Sequence, residues 1–93
     1  MDRKHAGEHL RKVLNDNGLK DWKVALTSDP NVPFLGKCMY REETILLNAH
    51  HIDIYPEAEV IDTIYHEVAH ALCPGHGHDE VWATKAKIGR AHV

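Results

Sequence analysis

The chain has 93 residues, a formal net charge of -3 and nine histidines. This length suits one domain with one hydrophobic core, so we treat residues 1–93 as a single domain. The negative net charge argues against a strongly basic nucleic-acid-binding surface. Apolar stretches are short and interrupted by charges, and no export signal is recognisable, so neither membrane insertion nor secretion is expected. Cys38 and Cys73 form no CxxC pair, and we expect reduced thiols in a cytoplasmic protein.

The first half of the chain predicts one helix followed by three strands. Apolar residues recur at helical spacing over residues 3–17, and Asn17-Gly18 supplies a stop. Residues 22–27 alternate between apolar and polar, which indicates a half-buried strand. Two further strands are predicted near residues 34–41 and 44–49.

The second half predicts a central helix and a short last helix. Pro56 opens the central helix, because a proline at the first helical position loses no hydrogen bond. Pro74-Gly75 ends it, and Asp79-Glu80 begins the last helix. His50-His51 follows the third strand and is interpreted as a loop pair without a ligand role. The predicted order is α-β-β-β-α-α, which gives an α+β fold class. One apolar stripe runs along the central helix: Ile61, Ile64, Val68, Ala71 and Leu72.

A metal-binding motif lies within the central helix. His66 and His70 are one helical turn apart, so both imidazoles project from the same side and can bind one Zn²⁺ at about 2.0–2.1 Å. Glu67 is offset by about 100° around the helix, which places it within reach of a water beside the metal. Such a metal activates the water while a carboxylate takes its proton. We therefore predict His66 and His70 as zinc ligands and Glu67 as the general base.

A catalytic zinc site needs a third protein ligand, with the fourth position left to water. His76 has the HExxHxxGxxH spacing, but Cys73 occupies the place of the turn glycine and no methionine follows for a Met-turn. Cys73 could bind as a thiolate, although a buried inert cysteine is the commoner case. His78 follows a glycine-containing loop that can fold it back over the metal. We favour His78 over His76.

The sequence around the motif resembles that of the SprT-like metalloprotease family. The segments that carry this resemblance are His66–Leu72, the glycine-containing loop and His78–Trp82. In that family HExxHA and a variable loop are followed by a histidine with an aromatic residue four positions later. His78 and Trp82 match this pairing, whereas His76 has no such aromatic partner. Asp79 departs from the glycine that is usual there. The likeness extends upstream through residues 36–41 and covers most of the chain, from about residue 6 to residue 90.

The resemblance implies a minimal zincin-like domain with a three-stranded sheet beside the active-site helix. It also implies one zinc ion and peptidase activity on protein or peptide substrates. DNA association is an expectation by family analogy only, and we expect a monomer. The function predicted is a zinc-dependent metalloendopeptidase acting on extended or unfolded segments. The alternative is a non-catalytic, zinc-stabilised protein-binding module, which would close the site with four protein ligands.

Four other residues have both a functional and a structural interpretation. Tyr40 and Arg41 could flank the substrate cleft and stabilise an oxyanion, or be a packing tyrosine and a solvated arginine. Asp62 could accept a hydrogen bond from the second ring N–H of His66 and so orient it, or it could interact favourably with the positive end of the helix dipole. Trp82 is predicted to anchor the last helix in the core.

Overall fold

The fold is a small mixed sheet with helices packed on one face. The computed structural model describes residues 1–75, 80, 82–84 and 86. Its elements are α1 (Arg3–Asp16), β1 (Lys23–Thr27), β2 (Gly36–Met39), β3 (Thr44–Asn48), α2 (Ala49–Ile54) and α3 (Glu57–Leu72). The backbone is helical again at residues 80, 82–84 and 86. The α+β class, the three-stranded sheet and the short C-terminal helix are therefore confirmed.

Helix α1 is fastened at both ends by polar contacts. The Asp2 carboxylate accepts a hydrogen bond from the His5 backbone N–H at 2.7 Å, which caps the first turn. Near the other end, the Arg11 guanidinium donates to the backbone carbonyls of Trp22 at 2.6 Å and Lys20 at 3.2 Å. Arg11 thereby ties the loop after α1 to the start of β1.

Strand β3 is the centre of the sheet, whose order is β1-β3-β2. It runs parallel to β1 and antiparallel to β2. The turn between β2 and β3 contains Glu43, whose φ of 48° is in the left-handed region that tight turns use. Within the described residues, β1 and β2 pair only with β3, so each has one free edge.

The hydrophobic core lies between the helices and one face of the sheet. Ile45 and Leu47 are two residues apart on β3 and are no more than 1 % exposed, so they mark the covered face. Helix α1 packs against β1 and α3, and α3 packs against β2. The largest fully buried side chains are Leu10, Leu14, Ile45, Leu47, Ile52, Val60, Ile64 and Val68. This core holds α3 with one side against the sheet.

Helix α2 is an element that the sequence pattern did not indicate. The interpretation of His50 and His51 as loop residues is wrong, because both belong to this six-residue helix. The Asn48 side chain caps it by accepting from the backbone N–H of His50 at 2.9 Å. The Asn48 side-chain N–H donates to the Phe34 carbonyl at 3.1 Å, so the capping residue also fixes the loop before β2.

None of the helices formed by the described residues combines the length and the apolar character needed to cross a bilayer.

Candidate active site

Helix α3 presents the motif residues on the side next to the buried stripe. Val60, Ile64, Val68 and Ala71 are buried at helical spacing. His66 and His70, by contrast, are only partly buried. Their ring centroids are 5.0 Å apart. The apolar packing of α3 therefore fixes a pair of adjacent imidazoles at the surface of the core.

The two imidazoles have a separation that suits one shared metal ion. Rings that bind a single zinc tetrahedrally at about 2.0–2.1 Å have centroids about 5 Å apart, which matches the 5.0 Å between His66 and His70. The Glu67 Oε2 is 4.0 Å from His66 Nε2. The carboxylate therefore lies beside the two rings, where it could reach a water that an ion between them would hold. The donor set thus fits a metal held by His66 and His70.

Glu67 is largely buried although its side chain is ionisable. It is 8 % exposed. Burial raises the pKa of Glu67 from its ordinary 4.5 to about 7, while a hydrogen bond with the Cys38 backbone opposes the rise. A carboxylate with a pKa near 7 is a stronger base than a solvated glutamate, and it can both take and return a proton at neutral pH.

Trp82 connects the C-terminal helical residues to the motif. Its indole Nε1–H donates to the backbone carbonyl of His66 at 3.2 Å. Its ring centroid lies 4.8 Å from that of His66 and 5.6 Å from that of His70. Trp82 is half-buried, so the predicted anchoring role agrees with its contacts, and it also restricts the rotation of both imidazoles.

Two clefts adjoin the motif, one on each side of Glu67. The larger has a volume of about 320 Å³ and is lined by Leu35, Gly36, Asp62, Thr63, His66 and Glu67. The smaller has a volume of about 250 Å³ and is lined by Gly36, Lys37, Cys38, Tyr40, Glu67 and His70. Strand β2 therefore forms a wall common to both clefts, and its free edge is next to the motif.

Tyr40 and Arg41 lie in the turn after β2, and of the two Tyr40 reaches the site. It lines the smaller cleft with Glu67 and His70. Desolvation, together with the neighbouring Cys38 thiol, raises the pKa of Tyr40 to about 12, so its phenol stays a neutral O–H donor near neutral pH. Arg41 is exposed and is absent from the lining of both clefts.

The two cysteines are free thiols with different surroundings. Cys73 is buried, and its Sγ–H donates to the Ala69 carbonyl at 2.8 Å. Cys38 is half-buried, and burial raises the pKa of its thiol to about 11, with the Glu67 charge adding to the rise. The Cys38 thiol is therefore disfavoured as a thiolate in the metal-free protein.

The third ligand lies outside the described residues, and so does its alternative. His78 and His76 both fall within residues 76–79, so their prediction stays untested. Within the described part of the chain, no group of three or more His, Cys, Asp or Glu side chains is placed to hold a metal ion. The structure thus describes two of the three predicted ligands.

Sequence reasoning missed the contribution of Gly36 and Thr63 to the site. A Cβ on Gly36 would lie 3.0 Å from Glu67 Cγ and 3.0 Å from Thr63 Cγ2. A glycine inside a strand is a known indication of a close approach by another element. That signal was present, but the partner in the contact could come only from the fold.

Comparison with known proteins identifies one family. The family model described as SprT-like matches residues 8–92, which is nearly the whole chain. No curated protein matches the chain at a significant level.

Proposed function

The chain belongs to the SprT-like family, and on that premise we propose that it is a zinc-dependent metalloendopeptidase. The observation that carries the proposal is the placement of Glu67. This buried carboxylate, with a pKa of about 7, lies 4.0 Å from His66 Nε2 on a helix that also presents His70. A structural metal site has no need of such a base beside its ligands.

His66, His70 and His78 are the residues that would hold the ion. The first two have the separation that shared binding requires, and Trp82 packs against both rings. His78 precedes Trp82 by four residues in the sequence, which supports its choice over His76. A bound zinc supplies Lewis acidity, which lowers the pKa of water and polarises a carbonyl group.

Glu67 carries the proton transfers of the proposed hydrolysis. It accepts a proton from the attacking water, whose oxygen forms a bond to the carbonyl carbon of the peptide. When the carbon–nitrogen bond breaks, the protonated Glu67 donates that proton to the leaving amine. Burial raises the pKa of Glu67 to about 7 in the metal-free protein, and a zinc ion beside the carboxylate would favour its ionised form, which is the form that accepts the proton.

The substrate that best suits this site is an extended segment. Strand β2 has a free edge beside Glu67 within the described residues, and an unstructured peptide can pair with such an edge through its backbone. The two adjoining clefts are small, and their charged lining residues besides Glu67 are Asp62 and Lys37, one of each sign. We therefore propose cleavage of unfolded protein segments with low sequence selectivity.

A Glu67→Gln variant tests the proposed mechanism against an unfolded protein such as casein. The amide cannot accept the proton, so we expect kcat/KM to fall about 10²–10⁴-fold. Zinc content should be unchanged, because Glu67 is not a predicted ligand, and a chelator should abolish the parental activity. Glu57→Gln is the matched control, since Glu57 is an exposed glutamate in the first turn of the same helix.

Two results would contradict this function. Equal cleavage by the parent and Glu67→Gln would remove the base from the mechanism. Tight peptide binding without turnover by a zinc-loaded parent would instead favour the protein-binding module.

The two free thiols are compatible with the reducing cytoplasm, where we propose that the protein acts. DNA is an added variable in the same assay, since its involvement rests on family analogy alone.

A further inference from the structure

Gly36 occupies the point at which strand β2 comes closest to helix α3. A Cβ built there would lie 3.0 Å from Glu67 Cγ, 3.0 Å from Thr63 Cγ2 and 3.4 Å from Leu47 Cδ2. Its φ is not in the positive region that Gly18 and Gly75 adopt. The requirement for glycine is therefore one of space rather than of backbone conformation, and a side chain at this position would displace one of three neighbours.

Two of those neighbours are held too firmly to move. Leu47 is 1 % exposed and lies on the central strand. The Thr63 hydroxyl donates to the Glu59 carbonyl at 3.1 Å and accepts from His51 Nε2 at 2.9 Å, so its rotamer is fixed from two sides. The side chain of Glu67 has one hydrogen bond with the Cys38 backbone and no comparable pair of side-chain bonds among the described residues. Glu67 is the neighbour that would give way.

Gly36 also has a particular place relative to the two clefts. Gly36 and Glu67 are the two residues that line both of them. Both clefts therefore adjoin the point where the strand passes the proposed catalytic carboxylate. A peptide along β2 that places one side chain in each cleft would therefore have its intervening bond over Gly36.

We propose that Gly36 is a positioning residue that sets the Glu67 carboxylate against the peptide bond to be cut and keeps the two clefts joined. This inference rests on the proposed hydrolytic function. The absence of a Cβ allows α3 and β2 to approach until the aliphatic part of the Glu67 side chain lies against Gly36. This contact restricts the orientation of the Glu67 carboxylate. Gly36 acts through Glu67 and transfers no proton itself.

The first test is Gly36→Ala with casein as substrate. We expect kcat to fall about 3- to 10-fold, because Glu67 Cγ must give way by a few tenths of an ångström and a displacement of about 1 Å at a catalytic group can cost about 100-fold. Zinc content should stay at the parental level, since the three atoms nearest the added methyl group belong to Glu67, Thr63 and Leu47 and not to a predicted ligand. Gly7→Ala is the matched control, because a Cβ at Gly7 has nothing within 4 Å. It should leave kcat unchanged and not lower the unfolding midpoint.

A second variant distinguishes positioning from general damage to the fold. Thr63→Ser keeps the hydroxyl that bonds His51 and Glu59 but removes the Cγ2 that lies 3.0 Å from the added Cβ. In the Gly36→Ala background it frees space for the methyl group, so Glu67 can return to its position. The fall in kcat caused by Gly36→Ala should therefore be at least about twofold smaller in the Thr63→Ser background than in the parent. The unfolding midpoints of the same four metal-free proteins should show the same favourable coupling, independently of catalysis.

Failure of this inference can be told apart from failure of the proposed function. A parent that does not cleave casein contradicts the proposed function. An active parent with unaltered kcat in Gly36→Ala contradicts the positioning role alone. The role is also overturned if kcat falls only in proportion to the unfolded fraction, or if Thr63→Ser gives neither recovery nor coupling.

Discussion

The burial of Glu67 should make the metal-free protein less stable than its Glu67→Gln variant at alkaline pH. Burial raises the pKa of this carboxyl from 4.5 to about 7. The folded state therefore holds the proton more tightly than the unfolded state does. Between pH 4.5 and pH 7 the unfolded state ionises first, so the free energy of unfolding falls as the pH rises through this window. Above pH 7 the whole penalty is present.

The magnitude follows from the two pKa values. Each pKa unit corresponds to about 1.36 kcal/mol, so the burial of the charged carboxylate costs at most about 3 kcal/mol at pH 8. Small domains have a total stability of about 5–15 kcal/mol, so this is a large share. Glutamine has nearly the same shape and no charge, and it keeps an oxygen that can accept from the Cys38 backbone.

Urea unfolding of both metal-free proteins at pH 8 and pH 5.5 measures this effect. We expect Glu67→Gln to be more stable than the parent at pH 8, with a smaller difference at pH 5.5. Glu57→Gln should show no such pH dependence. Equal stability at pH 8, or a difference that does not change with pH, would refute the assignment of a buried charge.

Two further predictions concern residues that adjoin the site. His51→Ala should lower the free energy of unfolding by about 1–3 kcal/mol, because it removes the buried hydrogen bond to Thr63, whereas exposed His50→Ala should cost less. Burial lowers the pKa of His51, so the parent's advantage over His51→Ala should shrink as the pH falls below about 6.5; an advantage that grows in acid would contradict this. Tyr40→Phe should lower kcat by about tenfold or more with little change in KM if the phenol donates to the developing oxyanion. The exposed Tyr55→Phe is its control, and equal kcat for the two variants would exclude that role.

Much of the fold could be predicted because its longer elements have clear periodicity. The predicted helix over residues 3–17 and strand over residues 44–49 each agree with the structure to within one residue. Helix α2 was not predicted, because six residues are too few to show a helical period. The asparagine cap at residue 48 was its local signal, but a lone capping residue occurs in turns as well. The buried role of His51 was missed with it.

The candidate site divides in the same way between local and long-range information. The helical spacing of His66, Glu67 and His70 places them on adjoining faces, so their relation could be predicted from residue numbers. The wall formed by Gly36 could not, because it lies 31 positions before Glu67 and meets it only through the pairing of β2 with β3. Trp82 is intermediate. Its predicted anchoring role agrees with the structure, but its contact with both imidazoles depends on how the last helix folds back.

The properties that distinguish Glu67 from an ordinary glutamate come from strand β2 rather than from the HExxH motif. The same close approach that leaves no room for a Cβ at Gly36 also excludes water from Glu67. On an exposed helix the same residue would keep a pKa near 4.5 and be a weak base at neutral pH. The strand therefore converts two histidines and a glutamate into a site with a basic carboxylate, at a cost in stability that metal binding can offset. An ion at about 1,000 times its Kd would return about 4 kcal/mol to the folded state, which exceeds the cost of burying the charge. If the proposed zinc ion binds, the fold can carry an unfavourable buried carboxylate, because the ligand beside it would also stabilise the folded protein.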